Sequence, residues 1–341
     1  MQAQVFQIQG KFPLENGKQL IDPVVAYHTF GQINAERDNI IWACHALTAN
    51  SNVFEWWPGL FGDNELFNPG EHFIVCANIL GSHYGTTGPL SDNPITGEKY
   101  YHDFPQITIR DMVGMHKLLA KELGIEKIKL ILGGSMGGQQ AMEWAIMEPS
   151  RFENAAFIAT SAAHTPWGVA FNESQRMAIE VDPTWKLRTD QAGIEGMKTA
   201  RSIALLSYRN YQTYGHSQKP TDGEMIYPDR APSYQRYQGK KLARRFNAFS
   251  YWHLSKAMDS HNIGRKRNGI ENALSKIRAN VIVLSLERDL LFPLADQLRI
   301  WKAIPGSTHH VIPSIYGHDG FLLETKKISA ILYKYLQTVK V

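Results

Sequence analysis

The stretch KIKLILGGSMGGQQAMEWA, residues 127–145, constrains this chain more than any other. Its first part carries Ile128, Leu130, Ile131 and Leu132, the apolar and β-branched run of a buried strand. Its last part carries Ala141, Met142, Trp144 and Ala145, with Ile146 following before Pro149, which stops a helix. Ser135 falls at the join, between Gly133 and Gly137. A strand that turns straight into a helix needs small residues on both sides of the turning residue, because a Cβ there would strike strand or helix. The same tight turn lifts a serine hydroxyl clear of the sheet, so a GxSxG sequence in this setting reads as a nucleophile elbow. Gly134 and Gly138 relieve the crowding further.

The segments around the elbow alternate in type. NIIWACHAL and EHFIVCANIL read as buried strands, and the second runs into a Gly/Pro/Asn-rich loop, GSHYGTTGPLSDNPITGEKY, too long for a plain connector. Thr108 and Asp111 form a capping box for a helix carrying Met112, Met115, Leu119 and Leu123, with Gly124 as its stop. ENAAFIATSAA reads as a further strand ending near 163. Alternation of this kind predicts an α/β architecture, a mostly parallel sheet with helices on both faces. Residues 1 to about 40 carry turn signals such as ENG and NAERDN and predict antiparallel strands at one sheet edge.

From 164 to 276 the buried-strand pattern disappears and helical segments take over, which predicts an insertion between two parts of one core, 1–163 and 277–341. Its strongest helices are GMKTARSIALLSYRNY and GKKLARRFNAFSYWHLSKAMDSH. The second carries Leu242, Phe246, Phe249, Tyr251 and Leu254, read first as a helical mini-core. Strand signals return at NVIVLSL, followed by a helix after Pro293, the strand STHHVIPSI, and a terminal helix with Ile328, Leu332, Tyr335 and Leu336.

Composition excludes several classes. Of 341 residues, 43% are hydrophobic and 20% charged, which is ordinary for a globular protein and argues against disorder. A formal charge of +4 is too weak to make nucleic acid the main ligand, and it is compatible with an anionic substrate. The N-terminal residues show no basic start followed by an apolar run, and no stretch has the length of a membrane span, so a soluble cytoplasmic protein is expected. Cys44 and Cys76 each sit in an apolar strand-like run, predicting buried free thiols. Neither belongs to a metal-ligand spacing, and no metal or tightly bound cofactor is expected.

A serine hydroxyl is a poor nucleophile at neutral pH and needs a base, itself held by an acid. In sheets of this kind both follow the serine in the chain, on loops after late strands. VIVLSL ends in Glu287, Arg288 and Asp289, and STHHVIPSI leads to Gly317, His318 and Asp319. His318 follows a glycine beyond a strand end, whereas His309 and His310 lie inside the strand. For the acid, Asp289 competes with Glu287, nearest the strand, and Asp296, in the following helix. Two backbone donors must hold the oxyanion. Met136 supplies the first, and Leu47, in the turn after NIIWACHA, is the best candidate for the second.

With these residues in view, the chain resembles the homoserine O-acetyltransferase family, also called homoserine transacetylases, of the α/β-hydrolase fold. The likeness runs through VAYHTFGQINAERDN, CHALT, ANILGSHYGTTGPLSDNPITGEKY, GGSMGGQQAMEWA, FNESQRMAIEVDPTW, YQGKKLARRFNAFSYWHLSKAMD and YGHDGFLLE, touching nearly the whole chain. The resemblance implies Ser135 as nucleophile, Asp289 rather than Glu287 as acid and His318 as base. It also implies that the insertion is a lid forming a tunnel over the serine. The implied activity is ping-pong transfer of an acetyl group from acetyl-CoA to the hydroxyl of L-homoserine, in methionine biosynthesis. Arg201 on a lid helix would hold the acceptor's carboxylate and Asp319 its amine, matching a guanidinium fork and an ammonium acceptor to a zwitterion. A homodimer through the lids is also implied, and the aromatic residues between 242 and 254 are compatible with it.

A succinyl donor, a serine acceptor, or hydrolysis by an esterase with the same triad are the alternatives. One segment departs from the family pattern. After CHALT the family continues with a Gly-Asp or Gly-Ser pair and then histidine, where this chain has Ala49, Asn50, Ser51 and Asn52, leaving the acyl donor open. The basic runs GKKLARR and GRKRNG read as a solvated helix face and an exposed loop rather than a coenzyme A phosphate site.

Overall fold

A computed structural model describes residues 2–339. Its strands are β1 (Gln4–Gln7), β2 (Lys11–Pro13), β3 (Gln19–Ile21), β4 (Val24–Phe30), β5 (Ile40–Cys44), β6 (Phe73–Ala77), β7 (Ile128–Gly134), β8 (Phe152–Ile158), β9 (Asn280–Leu286) and β10 (Thr308–Ile312). Eight of them form one sheet in the order β1-β4-β6-β5-β7-β8-β9-β10. Pairing is parallel from β6 across to β10, and β4 and β1 close the opposite edge antiparallel. The N-terminal segment therefore supplies the expected antiparallel edge with β1 and β4, while β2 and β3 form a separate hairpin.

Helices α1 (Val53–Trp56), α2 (Ile109–Glu122) and α3 (Met136–Met147) connect the first half of the sheet. Between β8 and β9 lie α4 (Pro166–Glu180), α5 (Ile194–Tyr208), α6 (Tyr211–Ser217), α7 (Arg230–Ala243), α8 (Ala248–Asp259) and α9 (Ile270–Leu274). Helix α10 (Leu294–Ala303) joins β9 to β10, and α11 (Gly320–Leu323) and α12 (Thr325–Thr338) follow. Among the described residues no helix is long and apolar enough to cross a membrane.

Each central strand feeds both faces, as the period of two requires. Ile40, Trp42 and Cys44 of β5 join one core with α2, α3 and α10, whereas Ile41 and Ala43 join another with Ile328, Leu332 and Tyr335 of α12. On the first face Trp42 meets Trp144 edge-to-face at 4.8 Å, seating α3 against β5. Burying each such large side chain stabilises by about 1.5–3 kcal/mol. Cys44 and Cys76 are buried free thiols, and burial pushes both upward in pKa. Helix α2 starts at the expected capping box, with the Thr108 side chain accepting from the Asp111 N–H and the Thr108 N–H donating to Asp111 Oδ2 at 2.8 Å.

The helical region leaves and rejoins the core at one place. The His164 N–H donates to the His261 carbonyl at 2.9 Å, and the Ile263 N–H to the Ala162 carbonyl at 3.1 Å. Two boundaries differ from the sequence reading. Strand β8 ends at Ile158 rather than near 163, because Ala159 takes φ +46° and turns the chain under the elbow. GKKLARRFNAFSYWHLSKAMDSH is two helices, not one. The chain breaks at Arg244–Asn247, where extended Asn247 accepts from the Ser250 N–H at 2.8 Å and caps α8. Leu242, Phe246, Phe249, Tyr251 and Leu254 are all buried within this chain, so they are a mini-core rather than an aromatic face offered to a partner.

Asn247 also reaches His83 Nδ1 at 2.9 Å, tying the corner to the long 81–100 loop. Asn247→Ala is expected to lower unfolding free energy by about 1–2 kcal/mol. A urea midpoint indistinguishable from the parent's would contradict that reading of the corner.

Candidate active site

Ser135 sits between β7 and α3 with φ +59° and ψ −127°, a conformation that costs a non-glycine residue about 1–3 kcal/mol. Its surroundings impose that geometry. The Ser135 N–H donates to the Ile158 carbonyl at 3.0 Å, and Thr160 Oγ1 donates to the Ser135 carbonyl at 2.8 Å. A Cβ at Gly133 would lie 2.3 Å from the Gly137 backbone, and one at Gly137 would lie 2.1 Å from the Cys44 carbonyl oxygen. Both flanking glycines are therefore demanded by backbone approach, between strand and helix and between α3 and the end of β5.

His318 Nε2 lies 2.9 Å from Ser135 Oγ, and His318 Nδ1 lies 2.7 Å from Asp289 Oδ2. Of the three acids open on sequence, Asp289 is the one that reaches the histidine. Its other oxygen accepts from the Leu291 and Phe292 N–H groups at 2.9 and 2.8 Å, which locks the carboxylate just past β9. Glu287 instead lies 3.9 Å from Arg288, and Asp296 is on α10. Gly317 takes φ +61° in the turn that carries His318, and the ring is packed among Phe292, Phe321 and Tyr208. Ser135 is 6% exposed, so the array is nearly dry and its one open side is a cavity. A serine so placed can pass its proton to Nε2 while the carboxylate holds Nδ1–H.

The cavity has a volume of about 560 Å³ and brings together Ser135, His318, Asp319, Arg201, Leu47 and Tyr84 with the 48–50 loop. Leu47 thus lines the same cavity as the serine. Met136 opens α3, where helix geometry leaves the N–H without an intrahelical partner. Arg201 stands on α5 with its guanidinium carbon 5.4 Å from the centre of the Tyr208 ring, a cation–π contact. Among the described residues it is in no ion pair. Asp319 lies beside His318 but already faces a cation, Arg209 Nε at 2.7 Å. That N–H is not aligned as a hydrogen bond, so the contact is one of charge. Burial raises the Asp319 pKa, although Arg209, Arg201 and His318 all pull it down.

Several site residues were not read from the sequence. Tyr208 and Arg209 follow Arg201 at the end of α5. Tyr84 comes from the long 81–100 loop, and Lys241 and Arg245 from the run GKKLARR also line the cavity. Arg245 donates to the Thr48 carbonyl at 2.5 Å and to the Tyr84 hydroxyl at 2.7 Å, stitching the α7–α8 corner across the cavity mouth. The other basic run is structural, with Arg265 paired to Glu15 and Arg267 to Glu143. Within the divergent 49–52 segment, Ser51 is buried with its hydroxyl 2.8 Å from His28 Nδ1 and Asn78 Nδ2, while Ala49 and Asn50 face the cavity.

Residues 39–325 match the family model described as the alpha/beta hydrolase fold. A homoserine O-acetyltransferase of Cyclobacterium marinum is 47% identical over 335 residues, covering 98% of this chain and 95% of that protein. The crystal structure of homoserine O-acetyltransferase from Bacillus anthracis superposes with a TM-score of 0.88 at 26% identity, covering 98% and 97% of the two chains. Esterase E22 superposes with a TM-score of 0.90 at 22% identity over 98% and 99%, a likeness of fold alone. The elbow, the serine–histidine–aspartate array and this full-length match agree: the chain belongs to the homoserine O-acetyltransferase family, an enzyme family on the α/β-hydrolase fold.

Proposed function

We propose that this protein transfers an acetyl group from acetyl-CoA to the side-chain hydroxyl of L-homoserine through an acyl-Ser135 intermediate. The observation that carries the reading is charge placement. A cation, Arg201, and a carboxylate, Asp319, open onto the same cavity as the serine hydroxyl, one for each end of an amino-acid zwitterion. An esterase on this fold needs neither.

Ser135 Oγ attacks the thioester carbonyl as His318 Nε2 takes its proton, and the oxyanion is held by the Leu47 and Met136 N–H groups. Collapse breaks the C–S bond, and the departing coenzyme A sulfur takes the proton from His318. The homoserine hydroxyl then gives its proton to Nε2 as its oxygen attacks the acyl carbon. Collapse breaks the bond to Ser135 Oγ, which recovers the proton. Water could discharge the acyl-enzyme too, but a hydroxyl pinned through its carboxylate and ammonium has an effective molarity of order 10⁵ M or more. The product, an activated homoserine, suits the methionine route that the family likeness implies.

Incubation with acetyl-CoA and homoserine is expected to give free thiol and O-acetylhomoserine in equal amounts. Thiol release without the ester would contradict transfer. Succinyl-CoA and serine, run in parallel, decide whether the Ala49–Asn52 departure changes donor or acceptor. Arg201→Ala should cut kcat/KM for homoserine by about 10–100-fold with donor acylation retained, and equal loss of both half-reactions would contradict its role.

Asp319 gives a pH signature. Only the ionised carboxylate holds an ammonium, and burial raises the pKa, so protonation begins above the ordinary aspartate range as pH falls. The homoserine KM should therefore rise on the acid side, in kcat/KM profiles, from above that range. Asp319→Asn should have a high KM at every pH with that limb missing. A limb unchanged in the variant would assign it to another group.

A further inference from the structure

Proton transfer at Ser135 leaves unused three of the most deeply buried polar side chains, His45, His116 and Gln140, each at most 1% exposed. They form one run of hydrogen bonds whose protons fit in a single arrangement. The Ile79 N–H donates to His45 Nε2 at 3.0 Å, so that nitrogen carries the lone pair and Nδ1 the proton. Nδ1–H then donates to the Ala46 carbonyl at 2.8 Å. The Gln140 amide nitrogen donates to the His45 carbonyl at 3.0 Å and the Met136 carbonyl at 3.1 Å. Its oxygen is left to accept from His116 Nε2–H at 3.1 Å. Burial keeps both rings neutral, each pushed down to about 4.

Peptide geometry converts these bonds into an orientation. The Ala46 carbonyl and the Leu47 N–H belong to one peptide unit, and in a planar trans peptide they point opposite ways. Among the described residues no peptide bond is cis. Drawing the Ala46 oxygen onto the buried His45 ring therefore turns the Leu47 N–H away from that ring, and Leu47 borders the cavity. Reversing the peptide would leave a buried imidazole N–H without its acceptor. Gln140, one turn along α3 from Met136, ties the same loop to the helix end that carries the Met136 N–H.

We propose that His45 and Gln140 are positioning residues for the oxyanion: His45 fixes the peptide that presents the Leu47 N–H, and Gln140 holds the adjoining His45–Ala46 peptide in register with Met136. His116 in turn fixes which way the Gln140 amide faces. The proposal rests on Ser135 forming an acyl-enzyme through those two donors. Loss of one oxyanion donor costs about 10²–10³ in rate, so loosening one is expected to cost about 10–100-fold.

Acylation by p-nitrophenyl acetate in rapid mixing reads this step without homoserine or coenzyme A. His45→Leu and Gln140→Met should slow it by about 10–100-fold, with the homoserine KM within about twofold of the parent's and the thermal midpoint lowered only modestly by the buried groups left unpaired. His45→Asn, whose amide N–H can stand in for Nδ1–H, should recover most of the rate. Acylation at the parent rate in both His45→Leu and Gln140→Met would overturn the proposal. So would a loss seen in KM or thermal midpoint and not in acylation, or one that His45→Asn does not relieve. If His45→Leu fails to fold, Gln140→Met and His45→Asn carry the comparison. No acylation in the parent would overturn the acyl-serine reading and this proposal with it, whereas a normal parent with unaffected variants overturns this proposal alone.

Discussion

The approach of the first turn of α3 to the carbonyl end of β5 is the constraint on which the rest of the site depends. It permits no side chain at Gly137, which faces the Cys44 carbonyl, and it leaves Ser135 in a positive-φ conformation. That strain persists because both ends of the residue are bonded, to Ile158 and through Thr160. The same contact brings together the start of a helix, with its free N–H groups, and the 45–47 loop that follows β5. Ser135, the Met136 N–H and the 45–47 loop are thus brought together by one backbone packing arrangement, while His318 and Asp289 arrive separately from the loops after β10 and β9.

Charge organises the other side of the cavity. Arg201 is in no ion pair among the described residues, whereas Asp319 already faces Arg209, and the cavity lining holds Arg201, Lys241 and Arg245 against Glu55 and Asp319. In the proposed reaction the acceptor's carboxylate would be drawn to Arg201, and its ammonium would share Asp319 with Arg209. Burial makes these interactions strong and also makes Asp319 reluctant to ionise, which explains why its cationic neighbours matter. Lys241 and Arg245 extend the positive lining toward the mouth.

What the sequence disclosed was mainly local. The elbow, the Thr108–Asp111 box and the apolar runs of β5, β6, β7 and β9 each depend on neighbours within a few residues, and each stands where the pattern put it. The α7–α8 break carried a local signal too, Asn247 three residues before Ser250, but continuous apolar spacing across it masked the cap. The end of β8 was not legible, because the turn at Ala159 answers to Thr160 bonding Ser135, 25 residues away. Asp289 could not be separated from Glu287 by spacing, since what selects it is the pair of N–H groups of Leu291 and Phe292. Arg209 and the His45–Gln140–His116 run involve partners about 25 to 110 residues apart in sequence, and no pattern of single residues encodes such contacts.

In the proposed reaction Ser135 carries the acyl group covalently between donor and acceptor. Mass spectrometry of the protein mixed with acetyl-CoA alone, then with homoserine, tests it most directly. One added acetyl group is expected on the peptide containing Ser135, absent from Ser135→Ala, and discharged into O-acetylhomoserine faster than into acetate. Formation of O-acetylhomoserine with no adduct at Ser135 at any time, or discharge to acetate alone, would contradict it.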